Sequence, residues 1–161
     1  MTTAPPGWYP DAHGQSRWWD EQAWGVSASE LRERRTLALL GHLALFVLPL
    51  VAAVVIRFTV GAKDAFVRHH ASEAANAQLL FFVVWNAAGL FGMAYGMRLT
   101  PGPTDEIPWP FVISWLTGVG ALVVCGSFSA RAAIKAYRGV FYRYPQPFRL
   151  IPGALPKESR R

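Results

Sequence analysis

Residues 36–56 read TLALLGHLALFVLPLVAAVVI. No Asp, Glu, Lys or Arg interrupts these 21 positions, and Arg35 and Arg57 close the run at its two ends. A helix rises about 1.5 Å per residue, so the run would be about 31 Å long. A bilayer's hydrocarbon core is about 30 Å thick. Two further runs of the same length and kind follow, Ala77–Met97 and Pro110–Ala130. All 26 charged residues of the 161-residue chain lie outside the three runs. This pattern excludes an ordinary soluble domain, a disordered chain and a disulfide scaffold. What remains outside the runs is too short to bury an aqueous core, which argues against a water-exposed catalytic domain. The one cysteine, Cys125, lies in the third run and has no intrachain disulfide partner. The expected fold class is an all-α integral membrane protein with three apolar helical segments and a small N-terminal Trp-rich β-hairpin.

The first run carries its own contradiction. Pro49 lacks the backbone N–H and clashes with the preceding turn, so it kinks or splits a helix. The charges sharpen the point. Three arginines (Arg32, Arg34, Arg35) precede the run, three Lys/Arg occupy 57–76, one (Arg98) occupies 98–109, and eight follow Ala130. Three full crossings put the N-terminus and the eight-charge tail on opposite sides, against the positive-inside rule. If the first segment is re-entrant at Pro49, 14 of these 15 charges share one side. Three spanning segments are the base reading, because 21 unbroken apolar residues are a strong spanning signal; the re-entrant segment is the alternative. The run is too long and too far from the start for a secretory leader. The expected location is the cell (plasma) membrane, multi-pass, with a cytoplasmic N-terminus.

Outside the runs, residues 1–25 are expected to form the Trp-rich hairpin module. Trp8 and Tyr9 stand on one arm and Arg17, Trp18 and Trp19 on the other, with Asp11 and Gly14 at the turn. Arg17 is placed to lie over an indole face. Residues 26–35 are read as a juxtamembrane linker in which Ser27 or Ser29 caps a helix opening at Glu30. Residues 36–151 form the helical membrane domain, and 152–161 a basic C-terminal tail. Asp64 reads as the N-cap of the second helix. His69 and His70 stand i,i+4 and i,i+3 from Glu73, which suggests a polar helix start held by Glu–His and Asn76 hydrogen bonds. Asn86, mid-run, is expected to face protein. Gly89, Gly92 and Gly96 on one helix, and Ser114 and Gly118 on the next, are candidate helix-packing positions, with homo-oligomerisation through Gly92 and Gly96 as the alternative use. Gly139 is expected to end the third helix. Arg32, Arg34, Arg35, Arg131, Lys135 and Arg138 are candidate contacts for anionic lipid headgroups. Membrane electrostatics accounts for the pI of 10.0, so no nucleic-acid partner is expected.

Two stretches resemble known families. Pro5, Gly7, Trp8, Tyr9, Pro10, Asp11, Gly14, Arg17, Trp18, Trp19, Asp20 and Trp24 resemble a short actinobacterial domain of unknown function with the pattern P-x-G-W-Y-P-D, then G, then R-Y/W-W-D-G-x-x-W. Glu21 stands where that pattern usually has glycine. The resemblance implies an N-terminal addition to membrane proteins and no known activity. The pattern is also similar to the front half of a proline-binding WW domain, with the third strand missing. Farther on, Phe66, Val67, His70, Glu73, Ala74, Asn76 and Gln78, together with Lys135, Gly139, Tyr142, Arg143, Tyr144, Pro145 and Arg149, resemble the two end motifs of a bacterial membrane domain. That domain is distantly similar to the Tic-twenty subunit of the chloroplast inner-envelope import machinery. The resemblance implies a compact helical membrane domain without a known biochemical role.

No residue set reaches a catalytic claim, and no cofactor or metal is expected. Cys125 and His42 are the only candidate nucleophile–base pair, with nothing in the sequence to bring them together. The expected function is an interaction, scaffold or accessory subunit at the inner membrane, not an enzyme. Its partners would be anionic lipid and a protein held by the N-terminal aromatic module. A transporter or protein-translocation component is the alternative.

Overall fold

The computed structural model describes residues 4–99, 109–146 and 148–153, the side chains of residues 96–99 excepted. The N-terminal module is a three-stranded antiparallel sheet in the order β1 (Gly7–Pro10), β2 (Ser16–Trp19), β3 (Trp24–Ser27). Trp8 pairs with Trp18 and Trp19 with Trp24 across the strands. The expected hairpin is therefore only two-thirds of the module, because the second turn, Asp20–Ala23, adds a strand. Asp11 Oδ1 accepts from the N–H groups of His13 (2.8 Å) and Gln15 (2.9 Å), and Gly14 takes φ +76° in the first turn. Asp20 Oδ1 does the same for Gln22 and Ala23 in the second. Arg17 forms an ion pair with Asp11 at 3.1 Å, although its Nε–H does not point along that line. It does not stack on an indole; charge attraction at contact distance outweighs a cation–π contact at an exposed site.

Residues 26–35 are no free linker. β3 runs directly into α1 (Ala28–Leu43) through a capping box: Glu30 N–H donates to Ser27 Oγ at 3.2 Å, and Ser27 N–H donates to Glu30 Oε2 at 2.7 Å. These reciprocal bonds satisfy two donors that a helix start otherwise leaves open. The helix thus opens at Ala28, two residues before the expected Glu30.

The first apolar run does not form one helix. α1 stops at Leu43, a 3₁₀ turn covers Ala44–Phe46, and α2 (Val51–Phe58) turns back. The break falls at Val47–Leu50, around Pro49, and Leu50 adopts φ +69°. The unbonded backbone N–H of Leu50 is met by Gln78 Oε1 at 2.6 Å, while Gln78 Nε2–H₂ donates to Gly41 O at 2.9 Å. One side chain thus caps both arms of the broken run. The reading of a third spanning helix is not supported: among the described residues two helices, not three, are long and apolar enough to cross a membrane, α3 (Ala65–Leu99) and α4 (Trp109–Tyr137).

The start of α3 and the end of α4 follow from local chemistry. Asp64 caps α3 by accepting from Val67 N–H at 2.9 Å. Gly139 (φ +76°) ends the run after α4, with Val140 N–H reaching back to Lys135 O. α3 and α4 are antiparallel and meet through small residues. A Cβ on Gly92 would lie 2.5 Å from Ser114 Oγ, and one on Gly118 would lie 2.9 Å from the Trp85 ring. Gly89 has open space beside it, and the surroundings of Gly96 fall outside the described residues. Asn86 does not face protein. It is exposed and donates to Phe82 O, one turn back, at 2.8 Å, so its own helix satisfies it without a neighbour. The proline-rich stretch 100–108 and the basic residues 154–161 lie outside the described residues.

The two halves of the helix pair differ sharply. Every residue from His69 to Gln78 is buried, a helix stretch covered all round. The cover is a collar made of α1, α2 and the chain after α4. Alanines (Ala53, Ala71, Ala74, Ala75, Ala132, Ala136) let these elements approach closely. Beyond Gln78 the collar ends, and Leu80, Phe82, Val83, Leu90 and Met93 stand exposed on α3, as do Ile113, Trp115, Leu116 and Val123 on α4.

Candidate functional site: a buried polar knot inside the collar

The collar's interior is polar. His42 on α1 is fully buried; its Nε2 lies 2.9 Å from His70 Nδ1 on α3, and its Nδ1 lies 3.0 Å from the Tyr144 hydroxyl. The Tyr144 hydroxyl also lies 3.3 Å from Ser129 Oγ on α4. Burial pushes the Tyr144 phenol above its ordinary pKa and the His42 imidazole well below its own. Both groups are therefore neutral at pH 7, and the chain of hydrogen bonds can run in either sense. With Tyr144 donating to His42, His42 donates to His70; with the order reversed, Tyr144 donates to Ser129. In both cases His70 Nε2 is left without a partner among the described residues, wedged against Phe66 and Phe141.

The second half of the knot is ionic. Glu73, 2% exposed, pairs with Arg149 Nε at 2.9 Å and accepts from Tyr144 N–H at 3.0 Å. Arg149 also donates to the carbonyls of Tyr144 (2.7 Å) and Gln146 (3.1 Å). Asn76 completes the seam. Its Oδ1 accepts from Leu150 and Ile151 N–H, both at 2.9 Å, and its Nδ2–H₂ donates to Ile151 O at 2.8 Å. His69 Nε2 meets Tyr142 O at 2.8 Å. The segment after α4 is thus strapped along the first turns of α3 by side chains that replace the strand or helix partners its backbone lacks.

The Glu–His bonds expected from the i,i+3 and i,i+4 spacing do not form. A guanidinium with a fixed fork of donors outcompetes an imidazole for a carboxylate, and the strap brings one. Arg149 and Tyr144 are the residues whose roles sequence reasoning missed. The signal was present, because the two motifs carrying the membrane-domain resemblance are the two sides of this one knot. Phe66, His70, Glu73, Asn76 and Gln78 come from one motif, and Tyr142, Tyr144 and Arg149 from the other. Pro145 lies at the edge, beside a cavity of about 140 Å³ shared with Cys125 and Phe128. Lys135 is exposed and contributes its carbonyl to the stop after α4.

Cys125 is not paired with His42, whose two ring nitrogens are already taken. Among the described residues no three His, Cys, Asp or Glu side chains converge on a point where an ion could be held. Of the candidate headgroup residues, Arg34 is committed to Asp64 at 2.8 Å. Arg32 and Arg35 line a cleft of about 300 Å³ with Trp8 and Tyr137, where the sheet meets α1 and the end of α4. Arg131 and Arg138 are exposed. Trp8, Trp18 and Trp24 present exposed rings on the sheet. Tyr9 and Trp19 donate to the carbonyls of Pro5 and Ala4, which ties the first described residues to the module.

No curated protein and no solved structure matches the chain. A family of membrane proteins does, over residues 33–151, from the second turn of α1 to the end of the strap and without the N-terminal sheet. Since that stretch contains the broken first run, both long helices and every residue of the knot, the chain belongs to the magnetosome magnetite crystal formation protein family (MamF/MmsF).

Proposed function

We propose that this protein is a membrane-embedded accessory or scaffold subunit that spans the bilayer twice and is neither an enzyme nor a transporter. The observation carrying this reading is where the polar side chains are and what they do. The knot lies at one end of the helix pair, inside the collar, and its groups are engaged in tying the C-terminal strap to α3. A transporter's polar groups belong near the midplane and line a path. Here the midplane stretch of α3 carries Asn86, satisfied by its own helix. A translocation component is the second reading; it rests only on the remote resemblance of the two end motifs to the Tic-twenty family.

Two spans leave the sheet and the strap on one side, together with 14 of the 15 Lys and Arg that flank the apolar runs. The positive-inside rule makes that side cytoplasmic. Anionic headgroups would meet Arg131, Lys135 and Arg138, and the exposed tryptophans of the sheet would meet a protein partner. The family's description concerns magnetite crystal formation in magnetosomes; for this chain only its membrane-accessory character is carried over. The test is site-specific photocrosslinking in intact cells from Trp8 and Trp24, beside solute flux in reconstituted vesicles. A discrete crosslinked species without flux is the expected result. Flux that disappears in a Gln78→Leu variant, without any crosslink, would replace this reading with the transporter.

A further inference from the structure

The broken first run has a depth that follows from its contacts. Its tip is fixed at Gln78 on α3 by the bond to Leu50 N–H and at Gly126 on α4 by Phe46, whose ring would lie 3.2 Å from a Cβ there. Past those levels, α3 runs charge-free to Met97 and α4 reaches back to Trp109. These are 19 and 17 residues of apolar helix, about 28 and 25 Å. A hydrocarbon core of about 30 Å therefore leaves about 2–5 Å for the tip. The tip thus sits at the headgroup–acyl boundary, where interfacial apolar elements lie. The tip is also dressed for it: Val47, Leu48 and Val51 are 79%, 57% and 58% exposed. α2 continues this outward stripe with Val55 and Phe58, at i+4 and i+7 from Val51.

The two leaflets consequently meet different bodies. Among the described residues, the far leaflet contains only α3 and α4. The near leaflet and its headgroups contain α3, α4, α1, α2 and the strap. With helices about 10–12 Å across, the near section is roughly twice the far one. A body wider in one leaflet relieves strain where that leaflet is convex.

We propose that the protein is a membrane-curvature element: the Ala44–Val51 tip is a wedge in a single lipid leaflet, and the protein concentrates where the collar-side leaflet bulges outward. This rests on the two-span reading. The occupant of the exposed tip is the acyl chains of that leaflet, because the tip is continuous with the lipid-facing surface of α3 and α4 and carries no charged residue.

The test uses the full chain, fluorescently labelled and reconstituted in giant vesicles from which thin tubes are drawn. Orientation is read from labelling of single cysteines at the exposed Ala12 and at Ser159 in a Cys125→Ser background. With the collar in the outer leaflet, density on the tube should exceed that on the parent vesicle severalfold. With the collar in the inner leaflet, the sign should reverse to depletion. A Val47→Asn, Leu48→Asn, Val51→Asn variant alters only exposed positions. It should stay inserted through α3 and α4 with a density ratio near one. Equal density on tube and vesicle in both orientations overturns the wedge, as does sorting by the variant as strong as the parent's. The labels separate the two levels of argument. Positions 12 and 159 reacting on opposite sides would sink the two-span reading, whereas same-side labels with flat sorting would sink the wedge alone.

Discussion

The Glu73–Arg149 pair offers the most decisive test of the knot, because its two halves are buried unequally. Glu73 is 2% exposed and Arg149 22%. Removing one partner of a buried pair costs about 3–5 kcal/mol when the other is left charged and unpaired. In Arg149→Met, the Glu73 carboxylate stays in the collar with the Tyr144 N–H as its one donor among the described residues, so the full range of about 3–5 kcal/mol applies to the opening of the strap. In Glu73→Gln, Arg149 keeps the carbonyls of Tyr144 and Gln146 and partial contact with water. Its cost should fall to about 1–3 kcal/mol, the range for an under-satisfied hydrogen-bonding group. The double variant removes both charges and should lie well below the sum of the singles, a coupling that a cycle isolates. Limited proteolysis of the strap in detergent or nanodiscs reads the open population when opening and closing outpace cleavage. At about 1.4 kcal/mol per tenfold, Arg149→Met should raise the cleavage rate by at least about a hundredfold and Glu73→Gln by about five- to a hundredfold. Additive singles, or an Arg149→Met strap as protected as the parent's, would show that the pair does not hold the tail.

Other expectations follow from local geometry. Gly92→Leu should force α3 and α4 apart at Ser114, where even a Cβ would sit at 2.5 Å, and should lower thermal stability by several kcal/mol of overpacking, whereas Gly89→Leu, beside open space, should be close to neutral. Glu21 holds φ +79° at the place where the resembled pattern has glycine. A left-handed L-residue costs about 1–2 kcal/mol, partly offset by glycine's greater entropy in the unfolded chain, so Glu21→Gly should stabilise the sheet, measured by near-ultraviolet circular dichroism of its tryptophans during melting. Backbone N–H bonds from Gln15 and from Ala23 hold the Asp11 and Asp20 carboxyls below their ordinary 3.8, and the Ser27 N–H holds that of Glu30 below its ordinary 4.5. Folded values lower than unfolded ones mean stability present above the ordinary values and lost as pH falls through the folded ones. The same tryptophan signal should hold from pH 8 to 5 and fade below about 4.

Much of this architecture was legible before any coordinates. The charge-free runs, the cap at Asp64, the stop at Gly139 and the small residues that α3 and α4 bring to their contact are local rules. Each needs only a few neighbouring residues to act, so each is written where it operates. The third strand escaped notice because it depends on a turn in which Glu21 takes a conformation its residue type disfavours, which sequence patterns read as absence.

The fate of the first run was different in kind. Its composition fitted a spanning helix and its proline fitted a break, and nothing within the run could choose between them. The choice is made by Gln78, 28 residues from Leu50, whose one amide supplies the hydrogen bonds that a broken backbone needs in a place water does not reach. The knot has the same origin. His42, His70, Glu73, Asn76, Tyr144 and Arg149 were visible as residue types, but a buried polar group is tolerable only with a partner. These partners stand about 30 to more than 100 positions apart along the chain. Sequence by itself determined that the chain is built for a membrane and where its long helices begin and end. Only the tertiary structure decided that the first run turns back and that the polar residues bind the tail.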